Sequence, residues 1–337
     1  MKQKQIIKTV LLLIAFPVFT HAQDPSFSQF FSSPLNINPA LTANINNKWR
    51  MVTNFRDQWI GPASPYATGT VSFDSKVMTD KLPESNVLGL GGMLMYDYSM
   101  SGIHKSVYGS VDISYNVTLS SGEGDHRLGI GVGGIYANKR IAFHRLAFPD
   151  QFTGNGFDAN LPTGEDALVN MKPYFSSSTG LTYSYTNDRS NVDFGVAVFH
   201  LNKPKQTVLE DPHQYLAMRK VVHGNFETYL NDNYLLNVNG IYQSQSGASY
   251  FSIGGAMGMF ISETGEDQVL YLGLWYWSNN AIIPYVGLRY KTMQFGLTYD
   301  FTVSKLSQAA QKPKTFELSF ILRGDDHNKG VIWCPWK

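Results

Sequence analysis

The chain holds a single cysteine, Cys334, in 337 residues, so no internal disulfide can form and a cystine-stapled scaffold is excluded. Surplus charge is nearly absent, with 27 Lys and Arg against 26 Asp and Glu, which removes the electrostatic argument for nucleic acid or an acidic substrate. Long apolar runs are missing as well. Although 43% of residues are hydrophobic and 14% aromatic, nothing beyond the N-terminus approaches the roughly 20 residues with which a helix crosses a bilayer. Recognisable catalytic constellations are also lacking. The eight histidines are dispersed, only His200 closes an apolar strand, and no Gly-x-Ser-x-Gly elbow occurs. The oxygen-rich loop from Asp150 to Asp158 departs from EF-hand spacing. No catalytic residue, metal or cofactor is therefore expected.

What is present begins with an export signal. Lys2, Lys4 and Lys8 precede the apolar run from Val10 to Phe16, and Thr20-His21-Ala22 offers a small-residue cleavage site, so residues 1–22 read as a signal peptide. The residue directly after the cleavage point is Gln23 and not cysteine, so a lipoprotein is not expected. Beyond it, the segment from Ile103 to Leu119 alternates with period two. Val107, Val111, Ile113, Tyr115, Val117 and Leu119 lie on odd positions, and Ser106, Ser110, Asp112, Ser114, Asn116 and Thr118 on even ones. Strand side chains point alternately to opposite faces, so this segment has one apolar and one polar face. The pattern recurs in about fourteen segments, near 48–58, 66–75, 87–98, 103–120, 127–140, 173–187, 191–202, 218–231, 233–245, 249–262, 268–278, 281–291, 292–302 and 315–323. An exported chain of that pattern is expected to be all-β, an antiparallel transmembrane barrel with lipid outside and water inside.

Connection lengths agree. If the chain enters from the periplasm, short turns such as Asn187-Asp188-Arg189-Ser190 fall on that side and the longest connections, 141–172 and 203–217, fall outside. The expected organisation is a signal peptide at 1–22, an N-terminal periplasmic or plug segment at 23–47, a barrel at 48–323 and a tail at 324–337.

The mature start, Gln23-Asp24-Pro25-Ser26-Phe27-Ser28-Gln29-Phe30-Phe31 through Pro34-Leu35-Asn36-Ile37-Asn38-Pro39-Ala40-Leu41, resembles the opening signature of the PorP/SprF family of outer-membrane proteins of Bacteroidetes. The resemblance continues through Arg50 and Asn54-Phe55-Arg56-Asp57-Gln58-Trp59 to Cys334-Pro335. It implies a component of type IX secretion and gliding motility, working with the periplasmic and lipoprotein ring and, in some members, with one large secreted adhesin. The implied location is the outer membrane of a Gram-negative bacterium.

Candidate site residues fall in four groups. Asp24, Pro25, Phe27, Ser28, Gln29, Phe30, Asn36, Asn38 and Pro39 would form a plug or docking strap, or only a structural seal. Arg56, Asp57, Gln58 and Trp59 read as a luminal Arg-Asp pair followed by an interfacial indole. Phe148, Phe152 and Phe157, on the long external connection, would fold over the barrel mouth and meet the C-terminal domain of a secreted client. Cys334 and Pro335 complete the family signature in the tail. Trp275, Trp277, Tyr271 and Tyr276 read as interfacial girdle. The expected function is non-enzymatic support of export or surface attachment of a secreted adhesin. A diffusion porin or hydrophobic-solute transporter is the first alternative, and an outer-membrane lipase the second.

Overall fold

The structure is a computed structural model that describes residues 24–324 apart from 62–63, 84, 121, 123, 155, 164–171, 207–213, 262–267 and 309–310. The signal-peptide reading of 1–22 and the tail positions Cys334 and Pro335 lie outside the described residues. Among the described residues, fourteen strands form the barrel: β1 (Trp49–Ile60), β2 (Tyr66–Val77), β3 (Val87–Ser99), β4 (His104–Ser120), β5 (Asp125–Ile141), β6 (Tyr174–Thr186), β7 (Ser190–Phe199), β8 (Arg219–Asn231), β9 (Tyr234–Gln245), β10 (Ala248–Phe260), β11 (Gln268–Trp277), β12 (Ala281–Tyr290), β13 (Met293–Tyr299) and β14 (Lys314–Arg323). A two-residue continuation, Phe301–Thr302, extends the line of β13 along β12. Each strand pairs antiparallel with its sequence neighbours, and β1 closes on β14 with Arg50 opposite Arg323 and Arg56 opposite Glu317. Closure leaves no free sheet edge, as a bilayer requires of strands.

Alternation decides what faces out. On β5, Leu128, Ile130, Val132 and Tyr136 are exposed, and on β13 so are Phe295, Leu297 and Tyr299, while Gln294, Thr298 and the following Asp300 are buried. Apolar side chains on the exposed face and buried polar ones behind them define an outer-membrane-type barrel. The two longest connections, 142–173 and 200–218, leave from one end of the barrel. That end is termed the long-loop end here, and the opposite one the short-turn end.

The interior is not the water-filled channel expected from the polar face. Residues 24–47 occupy it, with a 3-10 turn at Phe30–Ser32, one helical turn at Pro34–Ile37 and a second 3-10 turn at Pro39–Leu41. Pro34 and Pro39 each sit at the first position of their turn, where a missing N–H costs nothing and φ is already set. Phe30, Phe31 and Ile37 pack with Val221, Leu235, Tyr271, Trp275, Ile283 and Tyr285 of the wall, and Phe27 and Leu35 pack with Met93, Met95, Tyr108 and Tyr174.

This packing corrects the girdle reading of β11. Tyr271, Trp275 and Trp277 are buried and face inward, whereas Tyr276 alone of the four is exposed. Trp275 lies 4.9 Å from the Phe31 ring, and its indole N–H donates to Asn239 Oδ1 at 2.8 Å. Because β11 is apolar on both faces, its period could not say which face was the outer one.

Candidate functional site

The luminal segment is held to the wall at four places, which follow one another from the long-loop end to the short-turn end. The first centres on Asp24. Its carboxylate meets His200 Nε2 at 2.7 Å and Arg219 Nε at 3.3 Å, and its backbone N–H donates to Gln245 Oε1 at 2.9 Å. These partners follow β7, begin β8 and end β9, so all lie at the long-loop end. Arg219 also donates to the backbone oxygen of Asn36 at 2.9 Å and stacks over Phe199. Burial acts to raise the Asp24 carboxyl, but the charge of Arg219, then the hydrogen bond and charge of His200, outweigh it and hold it well below the usual carboxylate range.

Ser176 Oγ lies 2.7 Å from His200 Nδ1, which aligns serine, histidine and aspartate in series. Ser176 is fully buried, and the cavity beside Asp24 and His200 is about 30 Å³, space for one water. The series therefore fixes the ring of His200 rather than presenting a nucleophile to a substrate.

The second anchor uses Arg56. Its guanidinium bonds Asp300 Oδ2 at 3.0 Å, approaches Glu317 Oε2 at 3.8 Å and donates to the backbone oxygen of Ser26. The two carboxylates in turn receive the luminal segment. Glu317 accepts the N–H groups of Ser28 and Gln29 at 2.7 and 3.0 Å, and Asp300 accepts Ser28 Oγ at 2.8 Å. Gln29 completes the set by donating to the backbone oxygen of Glu317 and accepting from Ser319 Oγ. With every side chain nearly inaccessible, the cluster is stable only while its charges remain paired and hydrogen-bonded.

The third anchor is Asn38. Its Oδ1 caps the turn at Ala40 N at 2.8 Å, and its Nδ2 donates to the backbone oxygens of Leu181 and Val196 and meets His223 Nε2 at 3.0 Å. Two wall glycines make this approach possible. A Cβ on Gly180 would sit 2.0 Å from Asn38 Oδ1, and one on Gly131 only 2.2 Å from Ala40 N. The fourth anchor is the buried pair of Arg50 and Asp74, at 2.7 Å, near the short-turn end. Asp74 accepts the N–H of Ala43, and Arg50 donates to the backbone oxygen of Leu41.

Of the residues singled out in the sequence, Asp24, Pro25, Phe27, Ser28, Gln29, Phe30, Asn36, Asn38 and Pro39 lie inside the barrel, and Arg56 joins them. The Arg56-Asp57 pair is not formed. Adjacent strand residues face opposite sides, and Arg56 instead pairs along the inner wall with Glu317, directly opposite it on β14, and with Asp300 after β13. Trp59 takes a left-handed φ of 64° at the end of β1 and packs against Tyr66, with ring centroids 5.2 Å apart. Gln58, opposite Tyr66 on β2, stands beside it, half-buried. Phe152 and Phe157 pair with each other on an exposed two-residue hairpin of the long connection, and Phe148 precedes them, half-buried. Sequence reasoning took Arg50 only as part of the family signature and passed over Asp74, Arg219 and Glu317. Their signal was available: charged residues on the inward parity of otherwise alternating strands.

The family model for the type IX secretion system membrane protein PorP/SprF matches residues 19–322. The chain belongs to the PorP/SprF family. The match spans both the luminal segment and nearly the whole barrel. Comparison with curated proteins returned no match. Among solved structures, the fold is similar to a deletion mutant of the monoaromatic hydrocarbon channel TodX, at 9% identity and a TM-score of 0.51, covering 90% of this chain and 95% of that one. The Pseudomonas putida toluene transporter TodX gives 10% identity, a TM-score of 0.48 and coverage of 90% and 94%. A Pseudomonas aeruginosa FadL homologue gives 11%, 0.45 and coverage of 86% and 93%. At such identities the likeness is one of fold.

Proposed function

We propose that this PorP/SprF protein is a plugged, non-enzymatic outer-membrane component of type IX secretion that supports export or surface attachment of a secreted adhesin and docks to the periplasmic secretion ring. Residues 1–22 act as the export signal, the short-turn end faces the periplasm of a Gram-negative bacterium, and residues 24–47 are the plug. The observation that carries the reading is the filled lumen of a chain in a secretion family. Four buried polar anchors and two apolar clusters fix the segment to the wall. Two cavities beside it are about 30 and 60 Å³, well below the roughly 300–1,000 Å³ of small-molecule sites.

A filled barrel offers its surfaces, not its bore. The exposed Phe152–Phe157 hairpin at the long-loop end is the surface for the client's C-terminal domain, and the short-turn rim is that for the ring. A solute transporter of the TodX kind is the rival reading, and it requires the plug to move. Affinity purification of the tagged full chain from outer membranes separates the two. Recovery of ring proteins or lipoproteins together with a large secreted protein is the expected result, and repeated recovery of the barrel alone counts against it.

A further inference from the structure

The lipid-facing surface of the long-loop end carries an unusual pairing. Lys105 and Arg140 stand directly opposite each other on β4 and β5, both exposed. Like charges directly opposite on one sheet face repel. A third cation adds to the pair. Arg145, at the end of the 3-10 turn Phe143–Arg145 that follows β5, reaches with Nη1 to within 3.9 Å of the point a Cβ on Gly102 would take, and Lys105 Cε lies 3.4 Å from that same point. Among the described residues, no acidic side chain forms an ion pair with any of the three.

Their depth gives the cluster a meaning. Tyr98 on β3 is the other neighbour of Lys105, and Tyr96 and Tyr136, exposed on the same face, sit one and two steps nearer the barrel's middle. Leu94 is level with Tyr136, and Val111 and Ile113 come below, all exposed. Tyrosines bordering an apolar band mark the level of the lipid headgroups, so the three cations lie at that level or just beyond it. Long connections of bacterial barrels are external, which makes this the outer leaflet.

We propose that Lys105, Arg140 and Arg145 bind the phosphorylated headgroup of an outer-leaflet glycolipid, with its acyl chains along the apolar face of β3 to β5. A phosphate accepts from ammonium and guanidinium donors together and relieves their mutual repulsion. The site rests on the membrane orientation alone and not on the secretion role.

The test is native mass spectrometry of the full chain in detergent, offered bis-phosphorylated lipid A, the same glycolipid without phosphates, or inorganic phosphate. The wild type should prefer the phosphorylated form about tenfold or more. K105Q/R140Q should lose most of that preference, since each juxtamembrane cation is worth about fivefold. K220Q, a lone exposed lysine at the same end on β8, should keep it. Should the double variant not fold, as read by heat-modifiable gel migration, K105Q alone should lose about fivefold. Equal binding of the dephosphorylated lipid, retention of the preference by the folded double variant, or displacement of the lipid by inorganic phosphate at equal concentration would each overturn the proposal.

Discussion

Replacing Arg56 with methionine keeps most of the side chain's volume and removes the cation that Asp300 and Glu317 share. The guanidinium lies 3.0 Å from Asp300 and 3.8 Å from Glu317, with all three side chains at most 4% exposed. Removing one partner of such a buried pair typically costs about 3–5 kcal/mol, because the charges left behind can neither find water nor another cation. The hydrogen bond to Ser26 is lost as well. At about 1.4 kcal/mol per factor of ten, the ratio of unseated to seated plug should rise by roughly two to four powers of ten. The barrel wall, closed by its own ladders, should stay folded.

The assay uses Ser28, which is buried and bonded to Asp300. In a C334S background, S28C should react with a membrane-impermeant maleimide only when the plug leaves its seat. Labelling should be slow with Arg56 present and faster by at least about a hundredfold in R56M, the low end of the same loss. R56K should fall between, since an ammonium lacks the planar fork that reaches two carboxylates and a backbone oxygen. Identical labelling rates in R56M and its parent, with both folded, would refute the assignment of this cluster as the main clamp.

Three further outcomes follow from the other anchors. N38A loses a turn cap and two bonds to backbone oxygens, so the plug should loosen by about 1–2 kcal/mol, read as faster exchange of the Ala40 amide; unchanged protection would contradict it. G131V places side-chain atoms where the backbone at Ala40 now lies, so folded yield should drop sharply in a heat-modifiability gel, and normal yield would show that the plug approaches the wall less closely. The Asp24 carboxyl is depressed in the folded chain, so its contribution is complete above the unfolded value of 3.8 and is lost as the pH falls below it. The loss begins near pH 4 and is complete only at the depressed folded value, so limited proteolysis near Asp24 should increase as the pH falls from 4 towards 2 in the wild type and much less so in D24N. Equal pH dependence of the two would remove Asp24 from the account.

The strands were legible because nearly all of the fourteen stretches alternate strictly enough to mark their extent to within a few residues and to tell their faces apart. Thr292, Gln294, Thr298 and Asp300 against Met293, Phe295, Leu297 and Tyr299 needed no tertiary information. The inward aromatics of β11 were not legible, because Leu272, Leu274 and Tyr276 are as apolar as Tyr271, Trp275 and Trp277, and only the presence of Phe31 inside the barrel decides between the faces. Residues 24–47 have no period and read equally as a periplasmic strap. Their place is set by partners as far away in sequence as Asp300 and Glu317. Arg56 and Asp57 cannot pair, since the alternation that identifies β1 puts the two on opposite faces. His200 stands at the close of an apolar strand, but nothing local announces that Asp24, Ser176 and Arg219 converge there.

Single-channel recording of the purified wild-type chain in planar bilayers, beside a variant lacking residues 24–45, addresses the filled lumen most directly. The wild type should stay electrically silent and the deletion variant should conduct in discrete steps. Steady ohmic current through the wild type, equal to that of the variant, would contradict a sealed bore.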